Sequence, residues 1–281
     1  MSSYNNYGIF SYNTCMNTLN GCVQKGGNKM SIINSFDNKS KPLIDLGAFF
    51  EPKNFGDTCI VTFSIHVKEM FLEKYQYEIV GTTKTANGNI DIYRFEVDGK
   101  KILFYMSPIC AAAAGCTMHE VHYFTGASKF IVYGSCGILD NEKCSGKLIV
   151  PTEAYRDEGL SYHYMEPSDY VEIKNANKVA EAFEKNGYPY VLGKTWTTDA
   201  IYMETADKAK ARRDDGCLTV EMESSGLQAV CNFYGYELYT FFFGADLLTD
   251  DSWDKGDLGN EKEFDIQRET FKIAIDVAMS V

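Results

Sequence analysis

The sequence predicts an α/β protein built on a mixed central β-sheet flanked by helices. Three observations carry this expectation. Short apolar runs rich in β-branched residues, such as 58–65 and 129–133, alternate with longer segments of helical periodicity. Asn87-Gly88 and Asp98-Gly99 separate three strand-like segments, and such dipeptides are the strongest short hairpin signals, so part of the sheet is antiparallel. Finally, 281 residues with 45% hydrophobic and 23% charged side chains can bury a full core in one domain.

Taken in order, 58–65 reads as a buried strand and 66–75 as a helix. Segments 77–83, 90–97 and 101–106 are strands joined by the two hairpin signals. Segment 111–124 starts with small apolar residues and becomes helical, and 129–133 is a strand that ends where Gly134 begins a turn. Strands at 148–154 and 190–196 alternate with helices at 176–185 and 207–214. A short apolar stretch then runs into Glu221-Met222-Glu223, opening an amphipathic helix, 221–233, with Leu227, Val230 and Cys231 on one face. Segment 237–243 is an aromatic strand that leads to Asp246. The closing helix, 264–279, carries Phe271, Ile273, Ile275, Val277 and Ala278. No internal repeat or linker divides 45–281, which reads as one domain.

Residues 1–44 form an N-terminal extension. Most of it is rich in Asn, Ser and Gly without sustained periodicity, the pattern of a tail or a loosely docked arm. Lys25-Gly26-Gly27 can be encoded by a purine-rich ribosome-binding sequence, and Met30 follows at a matching distance. For a bacterial source, Met30 is therefore the expected translation start.

The net charge of −12 argues against nucleic-acid backbones and anionic membranes as partners. It leaves room for a small anionic substrate gripped by local cations. No apolar run reaches transmembrane length and no basic-then-apolar secretory start is visible, so a cytoplasmic location is expected. The nine cysteines form no CxxC pair and no metal-type spacing with the four histidines. Cys110, Cys116, Cys136, Cys217 and Cys231 lie in apolar surroundings and read as reduced core residues. Neither a metal nor a cofactor is expected.

Residues 216–248 carry the chemistry. The carboxylate of Glu223 can accept hydrogen bonds from two vicinal hydroxyls, as a ribose presents them. The same acids also fit a helix start, where the macrodipole favours negative charge. Asp246, at the end of a buried strand, lies where open α/β sheets bind ligands, or it caps the following loop as turn aspartates do. Amides and the Ser135 hydroxyl in Gly134-Ser135-Cys136-Gly137 can cradle an anion, although a tight turn needs the same glycines. Trp196, Ile201 and Tyr202 offer an apolar and aromatic wall.

Val220-Glu221-Met222-Glu223-Ser224-Ser225-Gly226 resembles the Val-Glu-Met-Glu-Ala-Ala/Ser motif of the nucleoside phosphorylase I family. That family holds purine nucleoside phosphorylases, uridine phosphorylases and adenosylhomocysteine/methylthioadenosine nucleosidases. The segments 130–137, 156–163 and 193–199 and the carboxylate at Asp246 agree in order, and the resemblance spans about residues 50 to 281. It implies a three-layer sandwich, with Glu221, Met222 and Glu223 against the ribose and Gly134 and Ser135 against phosphate. It also implies a base site of Trp196, Ile201 and Tyr202, and a catalytic Asp246 that gives a proton or hydrogen bond to N7 of a leaving purine. Arg268 matches approximately the Arg that pairs with this Asp in hexameric purine enzymes.

The departures concern the nucleophile. Val132 stands where the phosphorylases place an Arg that grips phosphate, and the first strand lacks their Gly-Asp-Pro and following Arg. His66 or Lys68 are the nearest substitutes. Pro108-Ile109-Cys110 replaces a Gly-Met-Gly turn near the ribose. After Tyr202, Met203-Glu204-Thr205 replaces the Pro-Gly-Gln-x-Arg that reads uracil, although 158–163 looks more like the uridine members. His163 faces either a neighbour's site or a surface loop.

The expectation is a purine-type nucleoside phosphorylase with phosphate as co-substrate, active in purine salvage. Hydrolysis by water, uridine phosphorolysis and nucleoside binding without turnover are the alternatives. A homo-oligomer, whether dimer, trimer or hexamer, is expected, because family members share pocket residues across subunits.

Overall fold

Apolar side chains alternate between the two faces of the central strands, and helices cover both faces. The structure, a computed structural model, describes residues 31–281. The expected translation start and most of the expected extension fall on residues 1–30, outside the described residues.

Strand β1 (Thr58–Thr62) leads into helix α1 (Ile65–Lys74), whose start is capped by Ser64 Oγ, the acceptor for Val67 N–H. A meander follows: β2 (Tyr77–Thr85), β3 (Gly88–Val97) and β4 (Lys100–Met106). Next come α2 (Ala111–Thr125), β5 (Lys129–Ile138), α3 (Asn141–Cys144), β6 (Leu148–Asp157), α4 (Ser161–Tyr164) and β7 (Tyr170–Glu172). The second half holds α5 (Ala176–Asn186), β8 (Tyr190–Thr198), α6 (Ala206–Asp214), β9 (Cys217–Glu221), α7 (Ser224–Tyr234), β10 (Glu237–Leu248), β11 (Trp253–Asp254) and α8 (Glu261–Ser280).

All described strands join one mixed sheet in the order β11-β10-β6-β8-β9-β5-β1-β4-β3-β2, with β7 on β6. The β2–β3 and β3–β4 pairs are antiparallel, as the two hairpin dipeptides predict. Strands β1 and β10 flank β5 in parallel. Because β10 pairs with both β5 and β6, strands β5, β9, β8, β6 and β10 close into a ring at one end of the sheet.

On one face Ile60, Phe104, Ile131 and Phe241 pack against Phe71 of α1, Phe183 of α5 and Phe271 of α8. On the other face Cys59, Val61, Phe130 and Val132 meet Met118 of α2 and Leu227 and Val230 of α7. Each such side chain, when fully buried, contributes roughly 1.5–3 kcal/mol. Strands covered on both faces need apolar residues at every position, which is why 58–62 and 129–133 read as continuous runs.

The strands extend past those runs. Strand β5 continues through Gly134-Ser135-Cys136-Gly137, expected as a turn, because pairing with β10 holds it extended, Gly134 opposite Phe242 and Ser135 opposite Phe243. Glu221 ends β9, opposite Thr197, instead of opening a helix, and α7 begins at Ser224. Within residues 32–44, the turn Ile32–Asn34 lies against α4, and the Phe36 ring meets Phe233 edge-on at 6.3 Å.

Candidate active site

The N-termini of α2 and α7 meet where β9 ends. Cys110 N–H donates to Glu223 Oε1 (2.7 Å), and Ala111 N–H donates to the Met222 carbonyl (3.0 Å). Cys110 reaches this position at φ +74°, a conformation rare for an L side chain and costly by about 1–3 kcal/mol. The strain aims its amide at the carboxylate. Helix dipoles favour a negative group here, but burial outweighs them. Burial, and then the neighbouring Glu221 charge, push the Glu223 carboxyl up to about 8, against the Cys110 and Met222 backbone hydrogen bonds.

Glu221 is tied into the fold on both of its carboxylate oxygens. It is 6% exposed, and Thr197 Oγ1 donates to its Oε1 (2.5 Å). Its Oε2 accepts from the Glu223 and Ser224 amides, both at 2.8 Å. Both oxygens are thus committed to closing β9 onto α7, and burial raises its pKa despite these bonds. Glu221 borders the cavity but acts as the cap that sets Glu223 in place.

Asp246 sits in β10, just past a bulge after Gly244, directly opposite Gly137 of β5. A Cβ on Gly137 would lie 2.8 Å from Leu248 Cδ1 and 2.9 Å from Val220 Cγ1, so the glycine is needed for the close approach. Trp253 Nε1 donates to Asp246 Oδ2 (2.6 Å), and burial raises the Asp246 pKa. The chain folds back through β11 to bring the indole there.

The short 3-10 turn Ile201–Met203 carries Ile201 and Tyr202 to the same opening. Glu204 follows it, half-buried, and its carboxylate has no hydrogen-bond or ion-pair partner among the described residues. Lys208, the nearest cation in sequence, pairs with Asp157 (3.2 Å). Burial and the charge of Asp246 push Glu204 up to about 7, with Lys208 opposing.

These groups line one cavity of about 480 Å³, large enough for a nucleoside. Gly134, Ser135, Ile201, Tyr202, Glu221, Met222, Glu223 and Asp246, all singled out from the sequence, surround it. Four carboxylates line it, those of Glu204, Glu221, Glu223 and Asp246, and no Lys, Arg or His does so among the described residues.

Two expected members are elsewhere. Trp196 is 1% exposed, packs with Leu139, Ala209 and Val220, and donates its indole N–H to Asp157 (3.2 Å). Its ring is taken up by the cluster with Leu139 and Ala209 of α6, so it fills core space and does not line the cavity. Arg268 pairs with Asp265 one turn earlier on α8 (2.5 Å), and the Asp246–Arg268 pair is not formed. The two cations offered for phosphate do not line the cavity either, and the His66 ring stacks on Phe264 with centroids 3.8 Å apart. His163 is exposed on α4. Sequence reasoning missed Cys110, Glu204 and Trp253 as site residues. Glu204 had a signal, since an acid follows Tyr202 where the uracil-reading residues are replaced.

The phosphorylase superfamily model matches residues 59–278. The chain belongs to that superfamily. It is 23% identical over 224 residues to a DeoD-type purine nucleoside phosphorylase of an Exiguobacterium species, covering 77% of this chain and 88% of that enzyme. A DeoD-type purine nucleoside phosphorylase of Colwellia psychrerythraea is 24% identical over 151 residues, 53% of this chain and 64% of that enzyme, so this match spans less than two thirds of its length. A futalosine hydrolase mutant of Helicobacter pylori has the same fold, with a TM-score of 0.65, 14% identity, and coverage of 80% of this chain and 100% of that one. Membership of the phosphorylase superfamily supports an enzyme that acts on nucleosides. Among the described residues, no helix is long and apolar enough to cross a membrane.

Proposed function

We propose that the chain is a purine nucleoside hydrolase, using water where the phosphorylases of its superfamily use phosphate. One observation carries the reading: Glu223 and Asp246 both line the cavity, and no Lys, Arg or His does so among the described residues. Phosphate binding by phosphorylases depends on charge-assisted donors. An anion entering here meets four acids and only neutral donors, among them the Ser135 and Thr240 hydroxyls and strand amides, a setting that disfavours it.

In this mechanism Glu223, which holds a proton up to about pH 8 in the empty cavity, gives it up to solvent as the two ribose hydroxyls donate to its carboxylate, while Met222 packs beneath the sugar. The C1′–N9 bond breaks and its electron pair passes to the base. Asp246 in its acid form, held by Trp253, gives a proton to N7 and so neutralises the departing base. A water oxygen bonds to C1′ and loses one proton, which restores the proton Asp246 gave. The sum is one water consumed, with free ribose and free purine formed. A homo-oligomer in which a neighbour covers the exposed Tyr202 at the mouth fits this scheme.

Phosphorolysis is the second reading, favoured by the DeoD-type relatives. Incubation with inosine, adenosine, uridine and methylthioadenosine, with and without phosphate, tests the choice. Purine release at equal rates in both buffers is expected. Release that requires phosphate would overturn hydrolysis, and binding without release would reduce the protein to a nucleoside receptor.

A further inference from the structure

Among the described residues, Glu204 is the one cavity carboxylate without a protein partner. Glu221 has three donors, Glu223 has the Cys110 amide and Asp246 has the Trp253 indole. Glu204 lines the same cavity as Asp246, and the two are close enough for the charge of one to act on the other. A half-buried acid with no protein donor among the described residues is free to accept from a ligand group that enters the cavity. Resting on the hydrolase reading, we propose that Glu204 is a specificity residue that accepts a hydrogen bond from the exocyclic amine of a 6-aminopurine riboside while Asp246 serves the adjacent N7.

The chemistry of the purine edge supports this assignment. Two neighbouring carboxyl groups that share one proton present one donor and one acceptor. Position N7 and the amine of a 6-aminopurine present an acceptor and a donor, the matching pair. A 6-oxopurine presents two acceptors on that edge, so it needs a second proton on the pair or leaves an ionised oxygen facing its carbonyl. Burial and the Asp246 charge push Glu204 up to about 7, so near neutral pH the pair holds a single proton, which N7 of a bound base draws to Asp246. Lys208 does not supply a donor in its place, since its ammonium is held by Asp157.

The Glu204→Gln variant tests the assignment. Its amide keeps the shape and can donate to a 6-carbonyl. The measurement is kcat/KM for adenosine, inosine and 4-nitrophenyl riboside in the wild type and the variant. The wild type is expected to favour adenosine over inosine. In the variant that ratio should fall by at least about tenfold, with the nitrophenyl riboside rate within about twofold of wild type. The nitrophenyl substrate reports folding and the ribose site, independently of base recognition. An unchanged adenosine-to-inosine ratio, with that control intact, overturns the role of Glu204. A selective loss of inosine activity also overturns it, since Glu204 would then accept from N1–H of an oxopurine. If the wild type cleaves no riboside at all, the hydrolase reading falls, and this one with it.

Discussion

Glu223 and Asp246 stand at opposite ends of the reacting bond in the proposed scheme, so their conservative variants must fail differently. Glu223→Gln keeps the shape but loses charge-assisted hydrogen bonds worth about 1.5–3 kcal/mol each, so kcat/KM for purine nucleosides should fall at least about tenfold. A ratio near one in a folded variant would remove Glu223 from the site. The same substitution should change stability. The unfolded carboxyl titrates at its ordinary value of 4.5 and the folded one at about 8, so the native state holds the extra proton between those values. Wild-type stability should therefore decline as pH rises from 5 to 8, by about 1–2 kcal/mol after allowance for the open cavity mouth. The Glu223→Gln variant should lack this contribution, and melting curves at pH 5 and pH 8 would show it.

Asp246→Asn can donate a hydrogen bond but cannot deliver a proton. Purine nucleosides should lose activity by about 100-fold or more, while a nitrophenyl riboside, whose leaving group needs no proton, should change little. Equal losses on both would mark Asp246 as structural. Both acids were legible in the sequence because each sits in a short local pattern, a Glu-Met-Glu tripeptide and an aromatic strand end. Trp253 was not, because what gives it a role is its bond to Asp246 across the fold and no local pattern announces it. Glu204 left one trace, an acid after Tyr202 where the uracil-reading residues are replaced. Trp196 shows the converse: an aromatic residue beside the right motif still faces the core.

Among the elements, the position of Asp246 depends on how closely β5 and β10 approach. Gly137→Ala would push a methyl into Leu248 and Val220, on the strand position paired with Asp246. A cost of about 1–3 kcal/mol is expected, with purine cleavage reduced beyond what the lower melting temperature explains. Wild-type activity with unchanged stability would show that the β5–β10 register does not position the acid. The order of strands and helices was readable from apolar runs, and the β2–β3–β4 meander from its turn dipeptides. Strand ends were less readable. Hydrophobicity stops at Tyr133, while the ladder with β10 carries β5 on to Ile138 through small and polar residues. The same cause hid the end of β9 in Glu221, whose carboxylate looks like a helix start and in fact caps one from the preceding strand.

For the whole molecule, the closed ring of β5, β9, β8, β6 and β10 gathers the ends of several strands around one acidic cavity. The loss of both phosphate-gripping arginines was visible in the sequence. Its consequence, a wall with four acids and no base among the described residues, needed the fold. The most direct measurement identifies the sugar product by mass spectrometry after turnover of adenosine in phosphate buffer at tens of millimolar. Free ribose as the sole sugar product is the result expected. Ribose 1-phosphate as the main product would contradict the hydrolytic account and show that a cation from beyond this cavity's own wall completes a phosphate site.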